Sequence, residues 1–249
     1  MDKKRLDQVV TRRQLVASRS QAESFIKLGQ VTVNGKVVTR AGTLVRETDE
    51  IILTAAEQYV SRAGLKLASV AEKLQLDFRS KTVLDVGSST GGFTDYALKH
   101  GAAKVIAVEL GKDQLHPSLH GNPQIELHEQ TDIRTFSTTQ KIDLVVADVS
   151  FVSLQAILPA VAKVCHSGTQ IVAMVKPQFE ARGSNVKHHG VIKNEKVRRE
   201  ILQDFELWAK QTFVLQDKAD SDVTGSKGNR ERFYLLKVAT KSPGQHRRK

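Results

Sequence analysis

The stretch Leu84-Asp85-Val86-Gly87-Ser88-Ser89-Thr90-Gly91-Gly92-Phe93-Thr94 joins an apolar run to a helical one, and its glycines let a backbone turn approach a ligand. A dinucleotide loop spaces its glycines Gly-x-Gly-x-x-Gly, the middle one admitting a pyrophosphate. Here the spacing is Gly-x-x-x-Gly-Gly, with Asp85 on the run before it. That pattern suits S-adenosylmethionine, which carries no phosphate. Its amino-acid end needs backbone polar groups and carboxylates, and its ribose needs an acidic acceptor. Glu109, ending the second apolar run, is placed for the ribose; Asp132, in Thr131-Asp132-Ile133, is placed for the adenine amino group. Two more charges end apolar runs: Asp148, and Lys176 immediately before Pro177. A charge closing a buried strand sits at the crevice where doubly wound sheets bind their ligands. A lone strand-end carboxylate is often only solvated and a lone lysine only snorkels, so it is the series that points to a site.

Such residues need strands that end where the charges stand. Apolar runs at 82–86, 105–110, 142–148, 169–175, 213–218 and 233–238, with one more strand near Ile125, alternate with helical patterns at 65–76, 93–99, 154–164 and 195–210. Strands apolar on both faces that alternate with helices predict a mostly parallel sheet covered by helices. A polar stretch, 220–231, separates the last two runs without a helix, which predicts an antiparallel pair at the end of the sheet. Residues 1–58 read differently. Leu6, Val9, Val10 and Leu15 recur near helical spacing, and Ser20 with Glu23 predicts a capping box for a second helix that Gly29 stops. Val31-Thr32-Val33, Asn34-Gly35 and Val37-Val38 then predict a hairpin. The expected organisation is a small α+β domain over 1–58, a larger α/β domain over 59–240 and a disordered basic tail over 241–249.

Composition narrows the partners. The 249 residues are 40% hydrophobic and carry a formal charge of +11, which attracts polyanions. No long helix sets Lys and Arg against large apolar residues, which favours nucleic acid over membrane phosphates. The longest apolar stretches hold five or six residues, the N-terminus opens on charges, and there is 1 cysteine. These features predict a cytoplasmic protein without a membrane span. Aromatics are only 5% of the chain, so RNA contact is expected through phosphates and shape more than base stacking. The candidate cations are Arg5, Arg12, Arg13, Arg19 and Lys27 in the first unit, Arg62 beyond it, and Arg182 and Lys187 in a long polar loop after Pro177. No carboxylate or cysteine stands at ligand spacing from His188 and His189, so no metal is expected.

Taken singly, Lys66 in Ser61-Arg62-Ala63-Gly64-Leu65-Lys66-Leu67 and Glu231 in Lys227-Gly228-Asn229-Arg230-Glu231 are ordinary residues. In the order Lys66, Asp148, Lys176, Glu231 they resemble the Lys-Asp-Lys-Glu tetrad of FtsJ-like RNA ribose 2'-O-methyltransferases. The stretches VSRAGLKL, DVGSSTGGFTD, DVSFVSL, VKPQFE and KGNRE are similar to those of the TlyA-type family, often labelled haemolysin A. Arg5-Leu6-Asp7, Ser18-Arg19, Ala22, Ile26, Gly29, Val31 and Val33-Asn34-Gly35 resemble the S-four RNA-binding domain. The resemblance covers residues 3 to 240, shows no departure at the tetrad, and has Glu109 where many relatives carry Asp. It implies a Rossmann-like α/β methyltransferase with a mostly parallel seven-stranded sheet, preceded by a small α+β RNA-binding domain. The implied reaction is methylation of a ribosomal RNA ribose, at cytidine, from S-adenosylmethionine. In this reading Lys176 is the general base. Lys66 and the sulfonium favour its neutral form and Asp148 and Glu231 its charged form, which leaves in-line positioning of the hydroxyl as the alternative. The haemolysin label invites a membrane-lytic reading, but no secretory or lytic segment is visible. A non-catalytic RNA-binding assembly factor is the remaining alternative, and the intact tetrad speaks against it.

Overall fold

A computed structural model describes residues 3–181, 191–225 and 228–239. The tail 241–249, Lys227, and the cation candidates Arg182 and Lys187 with His188 and His189 lie outside the described residues.

The first unit runs β1 (Lys4–Arg5), α1 (Leu6–Arg12), α2 (Arg19–Lys27), β2 (Val31–Val33), β3 (Lys36–Val37), β4 (Leu44–Val45) and β5 (Ile51–Leu53). The expected hairpin forms across Asn34-Gly35, both in the left-handed region, but β5 pairs with the other side of β2, and β1 pairs with β4. The cap of α2 is also displaced from the expected Ser20. Ser18, in extended backbone, accepts from Gln21 N at 3.2 Å, and Gln21 Oε1 accepts from Ala17 N at 3.0 Å. Ser20 is already inside the helix, so the capping-box spacing is filled by Ser18 and Gln21.

The second unit runs α3 (Arg62–Ala71), β6 (Thr82–Val86), α4 (Gly92–Lys99), β7 (Lys104–Val108), β8 (Ile125–His128), β9 (Leu144–Ala147), α5 (Leu154–Val164), β10 (Gln170–Val175), α6 (Pro177–Glu180), α7 (Glu195–Ala209), β11 (Phe213–Asp220) and β12 (Arg232–Val238). Helix α3 starts three residues before the expected 65 and ends before 76. The turns beyond it stop at Gln75, whose backbone is left-handed (φ 51°). The polar stretch after Lys176, expected as loop, opens with the single turn α6.

The seven strands stand in the order β11-β12-β10-β9-β6-β7-β8. β12 is antiparallel to both β10 and β11, and every other pair is parallel. From β6 the chain steps outward to β7 and β8, then returns to lay β9 on the other side of β6. The carboxyl ends of β6 and β9 therefore flank a topological switch point, where such sheets bind ligands. Strand side chains alternate between two cores. Leu84, Val86, Val145, Ala147, Ile171 and Ala173 face α5 and α7. Val83, Val105, Leu144, Val146 and Val172 belong to a cluster that continues through α3 and α4 into Phe25, Ile26 and Val31 of the first unit. The two units thus share one apolar cluster.

Candidate active site

The glycine loop leaves β6 at Gly87, whose φ is 78° and where a Cβ would stand 2.9 Å from the carbonyl oxygen of Asp148. Glycine is needed there on both counts. The loop closes on itself through Gly91 N donating to Ser88 O at 2.7 Å. Glu109 binds the loop from the neighbouring strand end: one carboxylate oxygen accepts from Ser89 N at 2.9 Å and the other from Gly111 N at 2.7 Å. Asp85 is fully buried and accepts from Thr94 Oγ1 at 2.7 Å. Burial pushes its carboxyl up to about 7, against the pull of that hydrogen bond.

The four tetrad residues converge. Lys176 Nζ lies 2.5 Å from Asp148 Oδ1 and donates to Ser150 Oγ at 2.7 Å. Lys66 Nζ lies 2.6 Å from Glu231 Oε2. Asp148 and Glu231 thus each face one lysine ammonium. Burial raises the Glu231 carboxyl, with the charge of Lys66 opposing. Lys66, Lys176 and Glu231 are all nearly excluded from water, at 8%, 8% and 2% exposure. Charges buried this far persist because they are paired.

Three cavities meet at these residues. One of about 660 Å³ runs along Gly87, Ser89, Glu109, Asp132 and Ile133. A small one of about 130 Å³ is lined by Asp85, Gly87, Ser88, Thr90, Phe93 and Lys176, among others. A third, of about 870 Å³, lies between the units and is walled by Ser18, Ser20 and Gln21 on one side and Lys66, Lys176 and Glu231 on the other. Ser150 lines all three. In the small cavity Asp85 Oδ1 and Ser88 Oγ are buried without a partner among the described residues. A buried, unpaired acceptor of this kind fits an ammonium, as the amino-acid end of S-adenosylmethionine would present. The cofactor candidates from Asp85 to Thr94, with Glu109, Asp132 and Ile133, are therefore gathered at one end of the sheet.

Two sets of candidate residues are engaged within the chain. Asp132 lines the cavity, but its carboxylate is held by its neighbour Arg134, with Nε at 3.0 Å from Oδ1 and Nη2 at 2.5 Å from Oδ2, and these bonds lower it. Four cations of the first unit are engaged likewise, while Lys27 is exposed. Arg5 and Arg19 both pair with the buried Asp7, at 3.0 and 2.8 Å, and Arg12 pairs with Glu47 at 2.5 Å. Arg13 donates to the backbone carbonyls of Glu47 and Asp49 at 2.7 and 3.0 Å. Arg62 bridges the units, donating to Ser20 Oγ at 3.0 Å and to the carbonyl of Thr224. Sequence reasoning passed over Ser150, although it sits in a quoted motif, and the wall formed by Ser18, Ser20 and Gln21. That wall depends on how the units pack, with Gln21 Nε2 donating to Tyr59 O at 2.9 Å, and no local pattern announces it.

Comparison with known proteins agrees with this geometry. The family model of FtsJ-like methyltransferases matches residues 59–238, and that of the S4 domain matches residues 4–51. A Campylobacter jejuni protein named 23S rRNA (cytidine-2'-O)-methyltransferase TlyA is 38% identical, covering 92% of this chain and 98% of its own. The Mycobacterium tuberculosis protein named 16S/23S rRNA (cytidine-2'-O)-methyltransferase TlyA is 34% identical over 95% of this chain and 90% of its own. The solved structure of a Streptococcus thermophilus protein labelled a hemolysin superposes with a TM-score of 0.69 at 33% identity, covering 96% of this chain and 89% of that one. With a switch-point glycine loop, an intact tetrad and these relatives, the chain belongs to the FtsJ-like methyltransferases, in the branch of the TlyA proteins that carries an S4 domain ahead of the catalytic one.

Proposed function

We propose that this protein transfers a methyl group from S-adenosylmethionine to the 2'-hydroxyl of a cytidine in ribosomal RNA, acting on ribosomal subunits and therefore in the cytoplasm. The observation that carries the reading is the position of Lys176. It lines both the small cavity, where Asp85 waits for a cation, and the large cavity that opens between the units. A group so placed touches both reactants.

When bound, the cofactor supplies an electrophilic methyl. The rest is the work of this chain. Asp85, Ser88 and the loop to Thr94 hold the amino-acid end, and Glu109, Asp132 and Ile133 hold the nucleoside end. Asp148 and Ser150 fix the Lys176 amine at the mouth between the cavities. Lys66 and Glu231 form the facing wall. In the base reading, the Lys176 amine accepts the proton of the 2'-hydroxyl. The contacts of its amine with Asp148 and Ser150 favour a second reading, in which it chiefly aligns the hydroxyl. Lys27 and Arg12, with Arg182 and Lys187, contact RNA phosphates and position the strand, while Arg5, Arg13, Arg19 and Arg62 are engaged in holding the units in shape.

The deciding measurement is transfer of labelled methyl to small and large ribosomal subunits, separately and together, by wild type and a folded Lys176→Ala variant. Label in ribose-methylated RNA that vanishes in the variant supports the base reading. Label that persists at about a hundredth of the rate supports alignment. No label on any subunit, with cofactor bound, overturns the ribosomal substrate. The named relatives differ on whether one or both subunits are modified, so the subunit comparison assigns this chain to one pattern.

A further inference from the structure

We infer that Glu180 is a positioning residue for methyl transfer: its buried carboxylate ties α6 to the start of α5 and so holds the 148–153 segment against Lys176. This rests on the reaction proposed above.

Glu180 ends the VKPQFE stretch, and nothing in the reaction uses it directly. It is 4% exposed. Three donors from one junction converge on it: Leu154 N at 2.6 Å to Oε1, Ser153 Oγ at 2.5 Å to Oε2, and Gln155 Nε2 at 3.3 Å to Oε2. Leu154 is the first residue of α5 and Ser153 its N-cap, so the carboxylate also faces the positive end of that helix. A charge in such a place is well supplied with donors, and removing it leaves the first turn of α5 with unpaired backbone.

The consequence lies at the other end of the same short segment. Asp148 leaves β9, and Ser150 and Phe151 follow before α5 begins. The segment is strained: Phe151 has a left-handed backbone (φ 65°) and is 93% exposed at the edge of the large cavity, its ring resting on Phe179 of α6 at 5.4 Å between centroids. On the other side, Lys176 caps α6, its carbonyl accepting from Phe179 N and Glu180 N at 2.9 and 3.3 Å. The two strand ends are thus bolted twice, once by Lys176 on Asp148 and Ser150 and once by Glu180 on Ser153 and Leu154. Between the bolts lies Ser150, the residue common to all three cavities. With the second bolt gone, the segment loses its tie to α6 at Ser153 and Leu154 and keeps the Lys176 contacts and the Phe151–Phe179 ring contact.

The test compares wild type, Glu180→Gln, Glu180→Ala, Ser150→Ala and the Glu180→Ala/Ser150→Ala double variant. Rates of methyl transfer are expressed per cofactor-binding site, so loss of folded protein does not count. Glu180→Ala should lower kcat about 10- to 100-fold with the KM for RNA little changed, as expected for misplacement of reacting groups on the order of 1 Å. Glu180→Gln keeps the acceptor for Leu154 N and should recover most of that loss. Because Glu180 acts through the segment that carries Ser150, the double variant should be little worse than Glu180→Ala alone. Multiplying effects, or a kcat per site that does not fall, would overturn the inference and leave Glu180 a structural carboxylate. Hydrogen exchange provides the check that does not depend on activity. Amides of 149–155 should exchange faster in Glu180→Ala while those of β6, β9 and β10 keep their protection. If wild type methylates no ribosomal RNA, the proposed substrate fails, and exchange still decides the clamp: unchanged protection at 149–155 refutes it.

Discussion

Asp85 holds a proton that an exposed aspartate would have lost. Its carboxyl sits at about 7 in the fold against 3.8 in an open chain. Between those values the folded chain binds one proton more than the unfolded chain. Stability therefore falls as pH rises through the window, by up to about 1.4 kcal/mol per unit, and levels off above it. Asp85→Asn should flatten that slope, which urea midpoints across the window will read. Binding a cationic amino group beside Asp85 favours its ionised form. Below pH 7 wild type should release a proton on taking up cofactor, and Asp85→Asn should not. Titration calorimetry in buffers of different ionisation enthalpy separates the two. The sequence pointed to Asp85 as a ligand group through its place before the glycines. Its bond to Thr94 is made locally across the glycine turn, but its burial follows from β7 and β9 flanking β6, and spacing does not carry that.

At the level of elements, the turn from β6 into α4 is the most constrained feature. Gly87→Ala would combine a left-handed backbone with a Cβ pressed on the Asp148 carbonyl. A loss of about 1–3 kcal/mol in stability is expected, with weaker cofactor binding, checked by thermal melting and calorimetry. Ser18→Ala should cost about 1 kcal/mol through the loss of the α2 cap, and Ser20→Ala less. Buried strands such as β9 were legible because both their faces are apolar, and α5 because its period is regular. The start of α3, the turn α6 and the third strand β5 were not. Each is fixed by a partner beyond its own stretch of sequence: β5 by β2, α3 by α4 and α2, and α6 by α7. The tetrad was legible only through resemblance, since Lys66 and Glu231 gain their meaning from meeting across 165 positions of sequence.

For the whole molecule, the net charge of +11 sets the long-range attraction to RNA, while many of its cations already have partners. Binding should weaken steeply with salt, with a slope near −0.7 per phosphate neutralised on single strands. Two neighbours should respond differently. Arg12, paired only with a largely exposed Glu47, should lose RNA affinity on change to Ala with little loss of stability. Arg13, which donates to two backbone carbonyls, should lose stability as well. Filter binding at several salt concentrations, beside thermal melts, distinguishes them.

The apolar cluster that runs from Phe25 and Ile26 through α3 and α4 to the central strands also bears on how the chain is made. During synthesis the elements β1 to β5 leave the ribosome before the surface they pack on exists. Until α3 and α4 emerge, the face of the first unit that meets them has only solvent or another chain to meet. Pausing translation within 60–100 would prolong that exposure, and domain-wise folding of this kind is where misassembly begins. The nascent chain therefore covers the shared face of its first unit only once α3 and α4 have emerged.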